Sequence, residues 1–207
     1  MRQLKLAKHV PFVIDHIPAD SHIRPGHVPE TKKYVVIHNT GNYDERCDAA
    51  WHNGYIHGQA ASPTPREASW HFTVDDKLIC EHIPVHESAW HAGDTSFGQG
   101  NYYGIGIEIC VNGFPGVYEG EAYAAWEPRF LAALDNSAVL TAALLKLYDL
   151  DLSAVKQHYD FAPEKKNCPQ QMRYDFETKT FSRENGTLYN LFLQKVEEYY
   201  KVKGYIK

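Results

Sequence analysis

Gly104–Asn112 reads GIGIEICVN. Ile105, Ile107 and Ile109 fall at every second position, the period of a β-strand, so Gly106, Glu108 and Cys110 point to the opposite face. Glu108 is thereby a carboxylate in the middle of an otherwise apolar strand. Such a group gains nothing from packing and is costly to desolvate unless it meets a cation, a metal or water. Upstream, Tyr34–His38 (YVVIH) is a second run of strand formers, stopped by the turn residues Asn39, Thr40 and Gly41, and this places His38 at the C-terminal end of a buried strand. Between these runs, Trp70–Val74 and Leu78–Ile83 flank Asp75, Asp76 and Lys77, a connection of hairpin length that predicts an antiparallel pair.

Three helices complete the pattern. Asp44–His57 has the Ala and aromatic content of a helix, weakened at Gly54. Pro128–Tyr148 carries Pro in its first turn, and Leu131, Leu134, Ala138, Ala142 and Leu145 at a helical spacing that buries one face. Thr187–Lys201 repeats the spacing with Leu188, Phe192, Val196 and Tyr199. Strands interleaved with helices around one hairpin predict a single α/β domain with a mixed central sheet flanked by helices. Residues 1–33, broken by Pro11, Pro18, Pro25, Gly26 and Pro29, read as an extended N-terminal arm packed on a domain spanning 34–207. Ligands of open α/β sheets sit beyond the carboxyl ends of the strands, where His38 falls.

The chain has 207 residues, enough for one sizeable core, and a formal charge of −5, the wrong sign for neutralising phosphates. We therefore expect no nucleic-acid partner. Cys47, Cys80, Cys110 and Cys168 are widely spread, with no C-x-x-C pair, and are read as reduced. The N-terminus lacks the apolar stretch of a signal peptide, and no run of side chains approaches the ~20 apolar residues of a membrane span. Neither secretion by that route nor membrane insertion is expected. The 12 histidines stand out, because imidazole is the commonest metal ligand and titrates near neutrality.

Gln157–Pro169, QHYDFAPEKKNCP, brings His158, Lys166 and Cys168 close together in sequence. Zinc accepts imidazole and thiolate together, and three protein ligands with one open position mark a catalytic rather than a structural site. His38, His158 and Cys168 make such a triplet. Each also has a plainer reading: a satisfied or solvated imidazole, or a small buried thiol. Lys166, beside Glu164 and Lys165, reads on its own as a solvated loop lysine, and Glu108 as a strand carboxylate paired with a cation.

The blocks KYVVIHNTGN, SWHFTVDD, SAWHAG, GIGIEICVN and HYDFAPEKKNCP, in that order, resemble the zinc-dependent N-acetylmuramoyl-L-alanine amidases of type 2. That family shares its fold with phage lysozyme-type amidases and peptidoglycan-recognition proteins. The resemblance runs from about Arg24 to the last helix. It implies a peptidoglycan-recognition-protein-like amidase fold with 34–207 as the catalytic domain, and one zinc ion per chain held by His38, His158 and Cys168. It implies Glu108 and Lys166 as catalytic groups, and Trp70, His71 and His91 on the substrate groove. Trp70 stands where some members carry a catalytic Tyr, so Glu108 would have to serve alone. The loop from His158 to Lys166 is two residues longer than in many phage enzymes and equals the spacing of the cytosolic muropeptide-recycling amidases.

The implied activity is hydrolysis of the amide between N-acetylmuramic acid and the L-alanine of the stem peptide. Zinc can bring the pKa of water from ~15.7 to about 7 and polarise a carbonyl. Glu108 would move the proton, and Lys166 would stabilise the oxyanion. Peptidoglycan or a soluble muropeptide is the expected partner, and the chain is expected to be monomeric. Synthesis in the cytoplasm, with action on the wall after release or in the cytosol on recycled fragments, fits the N-terminus. A recycling amidase, a non-catalytic peptidoglycan-binding module and a purely structural zinc site are the alternatives; Cys168 speaks for the enzyme, and no fourth ligand is evident against it.

Overall fold

The computed structural model describes residues 4–184 and 186–202. Strands β1 (Phe12–Ile14), β2 (Tyr34–Asn39), β3 (Phe72–Val74), β4 (Ile79–Glu81), β5 (Gly104–Ile109) and β6 (Val155–Gln157) form one sheet in the order β1-β4-β3-β5-β2-β6. Every pair is parallel except the β3–β4 hairpin, so the mixed sheet expected from the sequence is present. Helices α1 (Ala49–Ala61), α2 (Gln99–Tyr103), α3 (Glu121–Leu147), α4 (His158–Phe161), α5 (Gln170–Arg173) and α6 (Thr187–Lys201) surround it, with a small ribbon of β7 (Tyr174–Asp175) and β8 (Thr180–Phe181).

The alternation in GIGIEIC divides the two faces as expected. Ile105, Ile107 and Ile109 are fully buried and share one core with Val35 and Ile37 of β2, Phe130 and Leu134 of α3, and Phe192 and Val196 of α6. Each such side chain contributes about 1.5–3 kcal/mol of burial. The other face carries Gly106 and Glu108, and the register sets His38 of β2 and Thr73 of β3 beside Glu108 in one row. Gln157 of β6 pairs with Ile37, so His158, the next residue, emerges level with His38.

Several boundaries differ from the sequence expectation. Helix α1 runs over 49–61 rather than 44–57 because Asp48 caps it, its carboxylate accepting from Trp51 N at 2.9 Å. Helix α3 begins at Glu121, seven residues before Pro128. The carbonyl that Pro128 leaves without a partner belongs to Ala124, and both residues are exposed, so water can take the bond. Strand β6 and the arm's edge strand β1 were not anticipated, each being only three residues long. The expectation that no stretch is apolar enough to span a membrane is also corrected. Helix α3, 27 residues long, is long and apolar enough, and 72% of its most apolar window is buried inside the fold, where it packs on the sheet and α6.

Asp75, in the β3–β4 turn, ties three elements together. Its carboxylate accepts from Lys77 N at 2.6 Å and Leu78 N at 2.7 Å within the turn, and from Ala49 N at 2.9 Å at the start of α1. Its carbonyl accepts from Asn136 Nδ2 of α3 at 2.9 Å. The residue and its bond to Ala49 are buried, so removing the carboxylate strands the Ala49 N–H away from water and leaves two turn N–H groups without their acceptor. Asp75→Ala is expected to lower unfolding stability by about 2–4 kcal/mol in urea denaturation, and Asp75→Asn to recover part of the loss because its single amide oxygen can serve the turn.

Candidate active site

His38 is the penultimate residue of β2, His158 opens α4 directly after β6, and Cys168 sits in the loop before α5. Their donor atoms lie within 4.8 Å of one another. Nδ1 of His38 faces Nδ1 of His158 at 3.0 Å, and Cys168 Sγ is held by Asn39 N at 3.2 Å. Burial keeps these imidazoles neutral. Desolvation, reinforced by His158 and His91, holds His38 well below its ordinary value, and desolvation with the Lys166 charge takes His158 down to about 4. Burial also pushes the Cys168 thiol up. Two neutral lone-pair donors and one thiol, converging without a cation among them, are the donor set of a transition-metal site. A cation placed there would stabilise the thiolate and reverse the shift.

Glu108 Oε1 lies 3.9 Å from His38 Nδ1. Burial raises its carboxyl to about 8, while the charges of Arg66 and Lys166 pull the other way. Its Oε2 is buried without a hydrogen-bond partner among the described residues, a costly arrangement that marks a group waiting for water or ligand. Glu108, His158, Cys168, Lys166, His91 and Trp70 all line one open cleft of about 1100 Å³. Segments far apart in sequence thus bring these six residues to one cleft, with His38 packed beside His158 and His91.

His91 also has a task behind the site. Its Nδ1 lies 3.1 Å from Nε2 of His38; with the Nδ1 lone pair of His38 turned toward His158, the Nε2–H of His38 donates to His91. Such outer contacts fix the tautomer of a ligand. Gly106 makes the approach possible, since a Cβ there would stand 2.7 Å from the His91 ring. His71 is corrected from the expectation that it binds substrate. It is fully buried and does not line the cleft. Gly106 N donates to its Nδ1 at 3.0 Å, and its Nε2–H donates to the carbonyl of Glu87 at 2.9 Å. Both ring nitrogens serve the backbone.

A model of the N-acetylmuramoyl-L-alanine amidase family matches residues 29–171. The chain belongs to this family. It is 35% identical over 158 residues to the N-acetylmuramoyl-L-alanine amidase CwlH of Bacillus subtilis (strain 168), covering 76% of this chain and 55% of CwlH. It is 34% identical over 163 residues to XlyA of the same organism, an amidase of the same description, covering 79% of this chain and 48% of XlyA. The structure of the catalytic domain of XlyA superposes with a TM-score of 0.69 at 32% identity, covering 90% of this chain and 99% of that domain. The chain spans about half the length of the curated relatives it matches.

Within this amidase-family fold, one relay was invisible in the sequence. Trp70 Nε1 donates to Thr73 Oγ1 at 2.7 Å, and Thr73 Oγ1 lies 2.9 Å from His82 Nε2. His82 Nδ1 lies 3.0 Å from the Asn53 side-chain oxygen, and Asn53 Nδ2 donates to Asp15 at 2.7 Å. One direction satisfies every member: Thr73 O–H donates to Nε2, and Nδ1–H donates to Asn53. Burial lowers His82 to about 3, which keeps that direction. Trp70 is thereby anchored, through α1, to the N-terminal arm. Asn101 does similar work for His91, its side-chain oxygen accepting from the backbone N–H of His91 at 2.7 Å and of Ala92 at 2.6 Å. Nothing in the spacing of Asn53, His82 and Asn101 marks them, so only proximity reveals them.

The Gly106–His91 contact gives a direct test. Gly106→Ala is expected to cost about 1–3 kcal/mol of stability through overpacking, and to shift the His91 and His38 imidazole resonances in NMR spectra, while Gly54→Ala, at a helix position with open space around it, shifts neither.

Proposed function

We propose that this chain is a zinc-dependent hydrolase of the amide bond between N-acetylmuramic acid and L-alanine in peptidoglycan, acting on the cell wall. The observation that carries this reading is the convergence of His38, His158 and Cys168 beside the carboxylate of Glu108, whose Oε2 has no partner among the described residues, with His158, Cys168 and Glu108 opening onto the cleft, within a chain of the amidase family.

His38, His158 and Cys168 would hold one zinc ion, leaving an open position. When bound, the ion supplies a Lewis acid that polarises a carbonyl and lowers the pKa of water. Glu108, one strand over from His38, takes the proton of the attacking water on its carboxylate and hands it to the departing L-alanine nitrogen. Lys166 places a fixed charge on the cleft that stabilises the oxyanion as it develops. His91 holds the His38 ring in the required tautomer, and Trp70 borders the cleft where it brings no hydroxyl to the reaction.

Two measurements test this reading. Protein purified without added metal should contain about one zinc per chain, the occupancy expected of a three-ligand site with an open position. Cys168→Ser should lose most of that zinc, since a hydroxyl is a far poorer donor than a thiolate; unchanged zinc in the variant would assign the third ligand elsewhere. Glu108→Gln keeps shape and removes the proton acceptor. It is expected to retain fold and zinc while turnover of cell-wall fragments falls on the order of 100-fold or more; turnover at the wild-type rate would refute the proton-transfer role.

A further inference from the structure

One wall of the cleft is built from aromatic rings that the chemistry above leaves without a task. Trp51 and Tyr55 stand four residues apart on α1, and therefore on one helix face. Their ring centroids are 5.5 Å apart with planes 10° from parallel. The row continues to Trp70 at 6.5 Å and 18°. All three line the cleft that contains Glu108, His158 and Cys168. Trp51 is 42% exposed, a large ring left in water at a cost in unburied apolar surface.

The surroundings say what such a row would take. The cleft lining has no Leu, Ile, Val, Met or Phe among the described residues; beside the rings stand Gln59, Arg66, Glu67, Ser69 and Asn42. An aliphatic side chain is matched by an aliphatic pocket, whereas flat rings edged with hydrogen-bonding groups match a pyranose, whose C–H face lies on the ring and whose hydroxyl and acetamido groups reach sideways. Among the buried polar atoms on this lining that have no partner among the described residues are Nε2 of His52, the neighbour of Trp51, and Nε1 of Trp90, whose backbone carbonyl accepts from Ser69 N beside Trp70. His52 is 6% exposed and sits edge-on to Trp51 at 5.0 Å. A buried donor or acceptor without a partner is expensive unless a ligand or water completes it. The row is also pre-set: the hydrogen bond from Trp70 to Thr73 and the Asn53 link of α1 to His82 hold its two halves, so little ordering is left for binding.

We propose that Trp51, Tyr55 and Trp70 form a stacking subsite for the N-acetylated pyranose rings of a glycan strand, with His52 and Trp90 as its polar contacts. The inference rests on the amidase reading only for the source of the glycan, that of peptidoglycan. The subsite places the sugar side of the substrate along α1 and leaves the rest of the cleft to the stem peptide.

The test uses a tetramer of β-1,4-linked N-acetylglucosamine, which has no muramoyl amide to cut. Isothermal titration calorimetry is expected to show saturable binding to the wild-type chain. Trp51→Ala and Tyr55→Ala, both on an accessible helix face where Ala favours the helix, should each weaken it about fivefold or more, the scale of one aromatic contact. Trp51→Phe should retain most of the affinity, and circular dichroism should show all three variants folded. Absence of tetramer binding by the wild type, or alanine variants that bind it as the wild type does, overturns the proposal. So does a loss confined to a stem tripeptide that leaves tetramer binding intact, because the wall would then serve the peptide. Cleavage of a soluble N-acetylmuramoyl-L-alanyl peptide, measured beside these titrations, separates the two readings. Cleavage without tetramer binding removes the subsite alone, and tetramer binding without cleavage removes the amidase reading while supporting the subsite.

Discussion

The parallel register of β2 against β5 is the constraint on which the site depends. His38 sits opposite Glu108 because Tyr34 sits opposite Gly104, and the six pairs of the β2–β5 ladder are in step. A slip of one residue would turn every side chain of one strand to the other face, burying a histidine or a glutamate in the isoleucine core and exposing an isoleucine to the cleft. The apolar face therefore enforces the polar one. Val35, Ile37, Ile105, Ile107 and Ile109 are all fully buried, and a one-residue slip would not keep them so. Strand β6 extends the argument by one step, because its pairing with β2 delivers His158 to the level of His38.

Desolvation then prepares the donors. The same burial that makes a charged imidazole unfavourable leaves its lone pair free, so His38, His91 and His158 are held neutral by the fold itself. Burial acts in the opposite sense on the acids, favouring the protonated forms of Glu108 and Cys168. The charges of Lys166 and Arg66 oppose that burial at Glu108, and Lys166 opposes it at Cys168; a divalent cation among the donors would act in the same sense on both.

Much of the remaining polarity in the interior is structural. His71 joins β5 to the loop at Glu87, and Asp75 joins the hairpin to α1 and α3. Lys32, at the end of the arm, is 1% exposed and donates to the carbonyls of Glu87, Tyr102 and Gly104, which pins the arm to the start of β5. Burial takes its ammonium down to about 7, with Glu87 opposing. Buried polar groups that are fully partnered specify one arrangement of chain segments, since every alternative leaves them stranded. That rigidity is what lets the distant loops at 91 and 168 both reach the end of β2, His91 at 3.1 Å from His38 and Cys168 at 3.2 Å from Asn39 N.

Residue types and period were enough to determine a great deal. The alternation in GIGIEICVN placed Glu108 on the face away from the core, the run YVVIH put His38 at a strand end, and the last helix was bounded correctly because its spacing is unbroken. Glu108, His38, His158 and Cys168 could be named from ordered blocks of sequence. Short elements were not legible: β1 and β6, at three residues each, carry no period, and their strand character comes from the neighbours they pair with. The start of α3 was misplaced because Pro128 reads locally as a helix beginning, and only the exposure of Ala124 and Pro128 shows why the helix continues through it. His71 and His91 are both histidines beside a tryptophan and look alike as sequence. The tertiary structure separates them: strand pairing surrounds His71 with backbone donors and acceptors, whereas the missing side chain of Gly106 opens space for His91 to reach His38, and both are contacts between segments that the chain keeps far apart.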